Sequence, residues 1–211
     1  MLSSSPLPLQ PQPSDQPSWP RMTADVVIVG GGIVGLTLAL ALSNGGLEVV
    51  VIEAQSRAAA ASRDRAYALS LTSANIFKGL GLWSAVESAI CHFQQVDLCD
   101  GDHSEVVEFL PADLGTEAVY YGAEHSVLMA ALQRAAIACP RLHYFSCASL
   151  NQLETTIDGV TGYLTAAEGE YRLRTGLIVA ADGRQSSLRK AANIGSFGWQ
   201  YWQSCITTVV E

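Results

Sequence analysis

The stretch VVIVGGGIVGLTLALAL, residues 26–42, decides how this chain folds. It holds seventeen uncharged residues, the short edge of a membrane span. The order of residue types divides it instead. Val26–Val29 is β-branched and predicts a buried strand, and Gly30-Gly31-Gly32 breaks the run. Ile33–Asn44 is rich in Leu and Ala and predicts a buried helix, closed by Asn44-Gly45-Gly46. Leu47–Glu53 (LEVVVIE) is again a short β run. Strand, glycine turn, helix and strand make a βαβ unit whose two strands should be parallel and buried.

Within this unit Gly30, Gly32 and Gly35 satisfy G-x-G-x-x-G. The pattern is weak alone, but here it follows a strand and opens a helix, the context of a dinucleotide fingerprint. Gly30 permits the tight turn, Gly32 lets a pyrophosphate approach the backbone, and Gly35 lets helix and strand pack closely. Ile33 and Val34 begin the helix, whose N-terminus offers free N–H groups and the positive dipole end to a diphosphate. Glu53 ends the second strand, 18 residues after Gly35. A carboxylate there can accept hydrogen bonds from both ribose hydroxyls of an adenosine and repels a 2′-phosphate. The competing reading makes Glu53 a solvated strand-end acid and the glycines a plain turn.

Further along, helices are predicted over Leu69–Leu82, Ser84–Ile90, His125–Cys139 and Ser187–Asn193. Strands are predicted over Phe93–Asp100, Glu105–Leu110, Leu142–Phe145, Ser149–Thr156, Val160–Ala166 and Tyr171–Val179. The mixture predicts an α/β core with an antiparallel insertion. Residues 1–20 hold six of the eight prolines and predict a disordered tail, with neither the basic nor the apolar region of a secretory signal.

Composition narrows the function classes. The 211 residues, 49% hydrophobic and 15% charged, can bury a core. Twelve Lys and Arg stand against twenty Asp and Glu, a net charge of −8 that disfavours a nucleic-acid surface. Only two of the basic residues are Lys, so no polybasic membrane patch is present. Five cysteines lack C-x-x-C spacing and four histidines lack H-x₃-H spacing, so neither a disulfide framework nor a metal site is expected.

Two further blocks carry candidate ligands. Arg63-Asp64-Arg65 precedes Ala66-Tyr67-Ala68-Leu69-Ser70, and an arginine here either covers a cofactor or is a surface residue. Ser70 and Ser73 fit helix caps as well as ligands. In LIVAADGRQSSLR, residues 177–189, an apolar strand runs into Asp182-Gly183, and Ser186 or Ser187 can cap the next helix. Asp-Gly is a common turn, but at the carboxyl end of a strand it also stands where open α/β sheets bind ligands.

Taken together, these blocks resemble the class A flavoprotein monooxygenases. The middle block, Arg65–Ser70 with Ser73 and Leu80-Gly81-Leu82-Trp83, and the stretch Trp199–Glu211 are similar to the ubiquinone-biosynthesis hydroxylases in particular. The resemblance covers about residues 24–211. It implies a Rossmann-like FAD-binding domain of the p-hydroxybenzoate-hydroxylase type, joined to an incomplete antiparallel-sheet substrate domain. The implied division is a tail at 1–22, the FAD domain at 23–90 plus 122–195, and the substrate domain at 91–121 plus 196–211.

The resemblance also implies that Gly30, Gly32, Ile33, Val34 and Gly35 meet the pyrophosphate and Glu53 the ribose. Arg65 would contact FAD, and Asp182 with Gly183 would meet FAD and assist NAD(P)H use. The implied activity is hydroxylation of an aromatic ring with NAD(P)H and O₂, on a lipophilic phenol of quinone biosynthesis, with no side chain singled out as catalytic. It fits a cytoplasmic protein that is peripheral to a membrane, joins a quinone-biosynthesis complex or forms a homodimer.

Two departures stand out. Ser126 takes the place of a usual arginine, and the family's later Gly-Asp-Ala-x-His block is absent, so the chain is expected to hold the N-terminal portion only. Gly101-Asp102-His103 is read as a turn. Two other classes stay open: a non-catalytic fragment that binds only adenosine diphosphate, and another FAD- or NAD-dependent oxidoreductase.

Overall fold

A computed structural model describes residues 19–100 and 105–204. Most of the expected tail, the Gly101-Asp102-His103 turn and the final β-branched run lie outside the described residues. In chain order the elements begin with β1 (Arg21–Val29), α1 (Ile33–Asn44), β2 (Val49–Ile52), α2 (Arg57–Ala61), β3 (Ala66–Leu69), α3 (Leu71–Gly79) and α4 (Trp83–Val86). A 3₁₀ turn at Glu87–Ala89 leads into β4 (Cys91–Phe93), β5 (Val96–Cys99), β6 (Val106–Phe109), α5 (Pro111–Leu114) and β7 (Tyr120–Glu124). Then come α6 (His125–Ala138), β8 (Leu142–Phe145), β9 (Ser149–Thr156), β10 (Gly159–Ala166), β11 (Gly169–Ala180) and α7 (Ser187–Ala191).

The main sheet has the order β8-β2-β1-β11-β10-β9. Its β8, β2, β1 and β11 strands are parallel, while β9, β10 and β11 pair antiparallel. All four residues of β2 are buried, as expected of a strand covered on both faces. Val26, Ile28, Val49 and Val51 pack toward Leu36, Ala39 and Leu40 of α1 and Leu128 and Leu132 of α6. On the opposite face Val27, Val50 and Ile52 meet Ala148, Leu164 and Leu173. The apolar stretch 26–42 is therefore strand, turn and helix; among the described residues no helix is long and apolar enough to cross a membrane.

Topology places the site. The β1–α1–β2 unit steps to one side of β1, and the chain later returns to set β11 on the other side. The strand order reverses between β1 and β11, so their carboxyl ends flank the crevice where open α/β sheets bind ligands. Gly30 follows β1 and Asp182 lies just beyond β11.

Several boundaries differ from the sequence reading. β1 starts at Arg21, inside the expected tail, because Arg21–Ala24 extend the pairing with β11 and Met22 packs into the second core cluster. The Leu69–Leu82 helix gives up its start to β3, and the Phe93–Asp100 strand divides into β4 and β5. The expected domain limits at 90/91 and 121/122 both fall on one three-stranded sheet, β3-β7-β4, and the second cuts β7. The antiparallel strands β9 and β10 continue the main sheet, while β5 and β6 pair antiparallel in a separate two-stranded sheet.

Candidate functional site

Glycine roles at the β1–α1 turn separate cleanly. Gly30 has φ +112°, and a Cβ there would collide with the Ala181 carbonyl and sit 2.8 Å from the Asp182 nitrogen. A Cβ on Gly35 would collide with the Gly30 carbonyl. These two glycines let β1, β11 and α1 approach one another. Gly32 has nothing within 4 Å of its would-be Cβ, so its missing side chain leaves room for a ligand. It is also the N-cap of α1, supplies no side-chain cap, and no acid follows in the first turn. The first-turn N–H groups of α1, including those of Ile33 and Val34, therefore lack intrahelical acceptors, although neither residue lines the cleft at Gly30 and Gly32. The Ile33 side chain packs on the core and Val34 is exposed.

Gly31 has a role the fingerprint does not name. Its N–H donates to Glu53 Oε2 at 2.7 Å, and a Cβ would lie 2.9 Å from both Glu53 Cβ and Tyr144 Cε2. Glu53 Oε1 accepts the Gln55 N–H at 2.8 Å. Two backbone donors thus fix the carboxylate, and each oxygen keeps a lone pair for a ribose hydroxyl. Beside it, burial pushes the Tyr144 phenol above its ordinary pKa of 10, and the Glu53 carboxylate adds to the rise. The Tyr144 hydroxyl therefore stays protonated.

A cleft of about 300 Å³ is lined by Gly30, Gly32, Glu53, Arg63, Asp182 and Gly183, among others. It thus joins three separated blocks of sequence, and its volume is at the lower end for ligand sites. Arg65 is not among its lining residues. It borders a neighbouring depression with Asp64, Glu124 and Ser126, while Arg63 reaches the cleft and donates to Gln55 Oε1 at 3.3 Å. Of the two arginines in this loop, Arg63 and not Arg65 lines the cleft.

Asp182 forms a wall shared between this cleft and an apolar groove of about 790 Å³ along β11 and α7. Its Oδ2 accepts from the Ser187 N–H at 2.7 Å, the Ser187 hydroxyl at 3.1 Å and the Leu188 N–H at 3.3 Å. Ser186 caps the same helix by accepting the Arg189 N–H, and Ser70 likewise caps α3. Oδ1 of Asp182 is buried without a hydrogen-bond partner among the described residues, leaving an acceptor free for a ligand donor.

Burial alone would raise the Asp182 pKa, but donors from Ser186, Leu188 and Ser187 outweigh it and hold the carboxyl below its ordinary 3.8. A lowered folded-state pKa contributes stability that is present above the ordinary value and lost as pH falls through the lowered one. Asp182→Asn should therefore be less stable than the parent at pH 5–7, with the gap closing below about pH 4. Urea unfolding across pH measures this; a gap that stays constant to pH 2 contradicts it.

These residues suit a flavin adenine dinucleotide through its adenosine diphosphate half: an open glycine, a bare helix N-terminus and a fixed carboxylate stand around one cleft. The comparisons agree. The model of a family described as FAD binding domain matches residues 23–203. The chain is 36% identical over 192 residues to the 3-demethoxyubiquinol 3-hydroxylase of Escherichia coli, a match covering 89% of this chain and 48% of that protein. It is 32% identical to the ubiquinone hydroxylase UbiL of Rhodospirillum rubrum, covering 89% and 44%. The chain thus spans about half the length of the curated relatives it matches.

Among solved structures, p-nitrophenol 4-monooxygenase PnpA of Pseudomonas putida matches with a TM-score of 0.68 at 25% identity, over 80% of this chain and 43% of that one. The OxyS anhydrotetracycline hydroxylase of Streptomyces rimosus shares the fold, with a TM-score of 0.71 at 23% identity over 85% and 35% of the two chains. The chain belongs to the FAD binding domain family, and over about half of their length it is similar to the 3-demethoxyubiquinol 3-hydroxylase of E. coli and the ubiquinone hydroxylase of R. rubrum.

Proposed function

We propose that this chain holds the adenosine diphosphate half of FAD, as part of a monooxygenase that uses NAD(P)H and O₂ to hydroxylate an aromatic ring. The observation that carries the reading is the open face of Gly32, set between the bare N-terminus of α1 and the fixed Glu53 carboxylate. When bound, the flavin supplies the redox chemistry that activates O₂. The protein's part is to bind and orient it. Backbone N–H groups from Gly32 to Val34 meet the diphosphate, Glu53 takes the ribose hydroxyls, and Arg63 adds a positive charge. Asp182 and Gly183 line both the cleft and the adjoining apolar groove, and there they meet the rest of the cofactor and assist the use of NAD(P)H. Arg65 approaches the cofactor from the neighbouring depression.

The substrate we propose is a lipophilic phenol of quinone biosynthesis, a reading supported by the names of the E. coli and R. rubrum relatives. Such a molecule partitions into lipid, so the protein would work in the cytoplasm in peripheral contact with a membrane or within a quinone-biosynthesis complex. The β5–β6 hairpin, with Leu98, Val107 and Phe109 exposed, would open the substrate domain.

The visible spectrum of the purified chain, titrated with FAD, tests the cofactor reading. A flavin band reaching about one FAD per chain is the expected result. A colourless protein that takes up no added FAD contradicts it.

A further inference from the structure

His125 opens α6 and is 3% exposed, the one histidine among the buried polar residues described. Its three polar groups all turn to a single stretch of chain. The backbone N–H donates to the Arg65 carbonyl at 2.7 Å. The ring Nε2 lies 2.8 Å from the Ala60 carbonyl. A carbonyl only accepts, so Nε2 carries the hydrogen, and Nδ1 is left to accept the Tyr67 hydroxyl at 3.0 Å. Ala60 belongs to α2, and Tyr67 to β3.

The three partners bracket Ser62–Arg65, and all four residues of that loop are exposed. The loop's other polar ties are lighter: Ser62 to the Ala59 carbonyl, Arg63 to Gln55 and the Arg65 N–H to the Arg63 carbonyl. Arg63 is the one basic side chain lining the glycine cleft among the described residues. The buried fastener of the arginine loop therefore comes from His125, some sixty positions later in the chain.

We propose that His125, with Tyr67, is a positioning residue: it holds the Ser62–Arg65 loop so that the Arg63 guanidinium faces the anionic ligand in the cleft. The inference rests on the adenosine diphosphate reading above. A leucine at position 125 would fill the core and keep the backbone bond to the Arg65 carbonyl, but the Ala60 carbonyl and the Tyr67 hydroxyl would lose their side-chain partner, and Arg63 would then sample orientations away from the ligand. A planar, forked donor loses most when its direction is lost.

ADP is the probe, titrated by calorimetry into the full chain at low temperature and low salt. Arg63→Gln should weaken ADP binding at least about tenfold, the scale of a charge-assisted contact. Tyr67→Phe keeps the ring and removes only the hydroxyl. It should weaken ADP about threefold to tenfold in the parent chain and have no effect in the Arg63→Gln chain. His125→Leu should behave as Tyr67→Phe does, and His125→Gln, which retains a donor for the Ala60 carbonyl, should recover most of the affinity. A Tyr67→Phe effect of equal size in both backgrounds overturns the inference. So does a lowered melting temperature with unchanged ADP affinity. A parent chain that binds no ADP overturns the reading of the cleft and the inference with it.

Discussion

Replacing Gly30 by alanine is expected to destabilise the fold by roughly 3–5 kcal/mol, the range of severe backbone and packing faults. Two causes add. The residue sits at φ +112°, where an L side chain is strained, and the new Cβ would enter the Ala181 carbonyl. Relief requires β11 to move away from β1, and that pairing runs through eight registered positions, from Arg21 with Arg172 to Val29 with Ala180. Urea or thermal unfolding measures the loss. Gly32→Ala is the matched control: its Cβ meets nothing within 4 Å, and φ there is −77°. Its stability should fall by no more than about 1 kcal/mol, the scale of a changed N-cap, yet its affinity for ADP or FAD should drop sharply because the methyl group occupies the approach to the helix N-terminus. Similar stability losses in the two variants would mean that the turn, not a ligand, selects both glycines.

Glu53→Ala should weaken binding of the adenosine moiety by roughly 1–3 kcal/mol, the cost of losing charge-assisted hydrogen bonds, or about fivefold to 150-fold in Kd. The carboxylate is already oriented by Gly31 and Gln55 N–H groups, so its ribose contacts carry little ordering cost. The same change should narrow discrimination against an adenosine diphosphate bearing a 2′-phosphate, because a fixed negative charge has gone. Calorimetric titration with both nucleotides reads the two effects together. Equal ADP affinity in parent and variant would remove Glu53 from the site.

Much of this was legible because it is local. Strand, glycine turn and helix follow one another within twenty residues, and each residue type there has its own conformational preference. Glu53 was legible because β2 is short and wholly apolar, so the first acid after it must emerge at the strand's end. Asp182 followed from the same logic at the end of β11. What escaped depends on distant partners. Ala66–Leu69 carries Ala and Leu at a spacing that suits a helix, yet it is a strand because β7, more than fifty residues away, pairs with it. Tyr120–Glu124 has no strong pattern of its own and gains its strand character from β3 and β4.

The choice between Arg63 and Arg65 is similar. One residue, Asp64, separates them, and which arginine lines the cleft depends on a loop tied to His125. Gly31 was visible as part of a glycine triplet, but its need became clear only with Glu53 and Tyr144 packed against it.

The central claim is that the cleft at the carboxyl ends of β1 and β11 binds the diphosphate and ribose of FAD. Amide chemical-shift mapping of the isotope-labelled chain during FAD titration tests it most directly. The largest shifts should fall at Gly30–Val34, Glu53–Gln55 and Ala181–Gly183, and ADP alone should reproduce those at Gly30–Val34 and Glu53–Gln55. Shifts gathered elsewhere, on β5 and β6 for instance, or none at saturating FAD, would contradict the account.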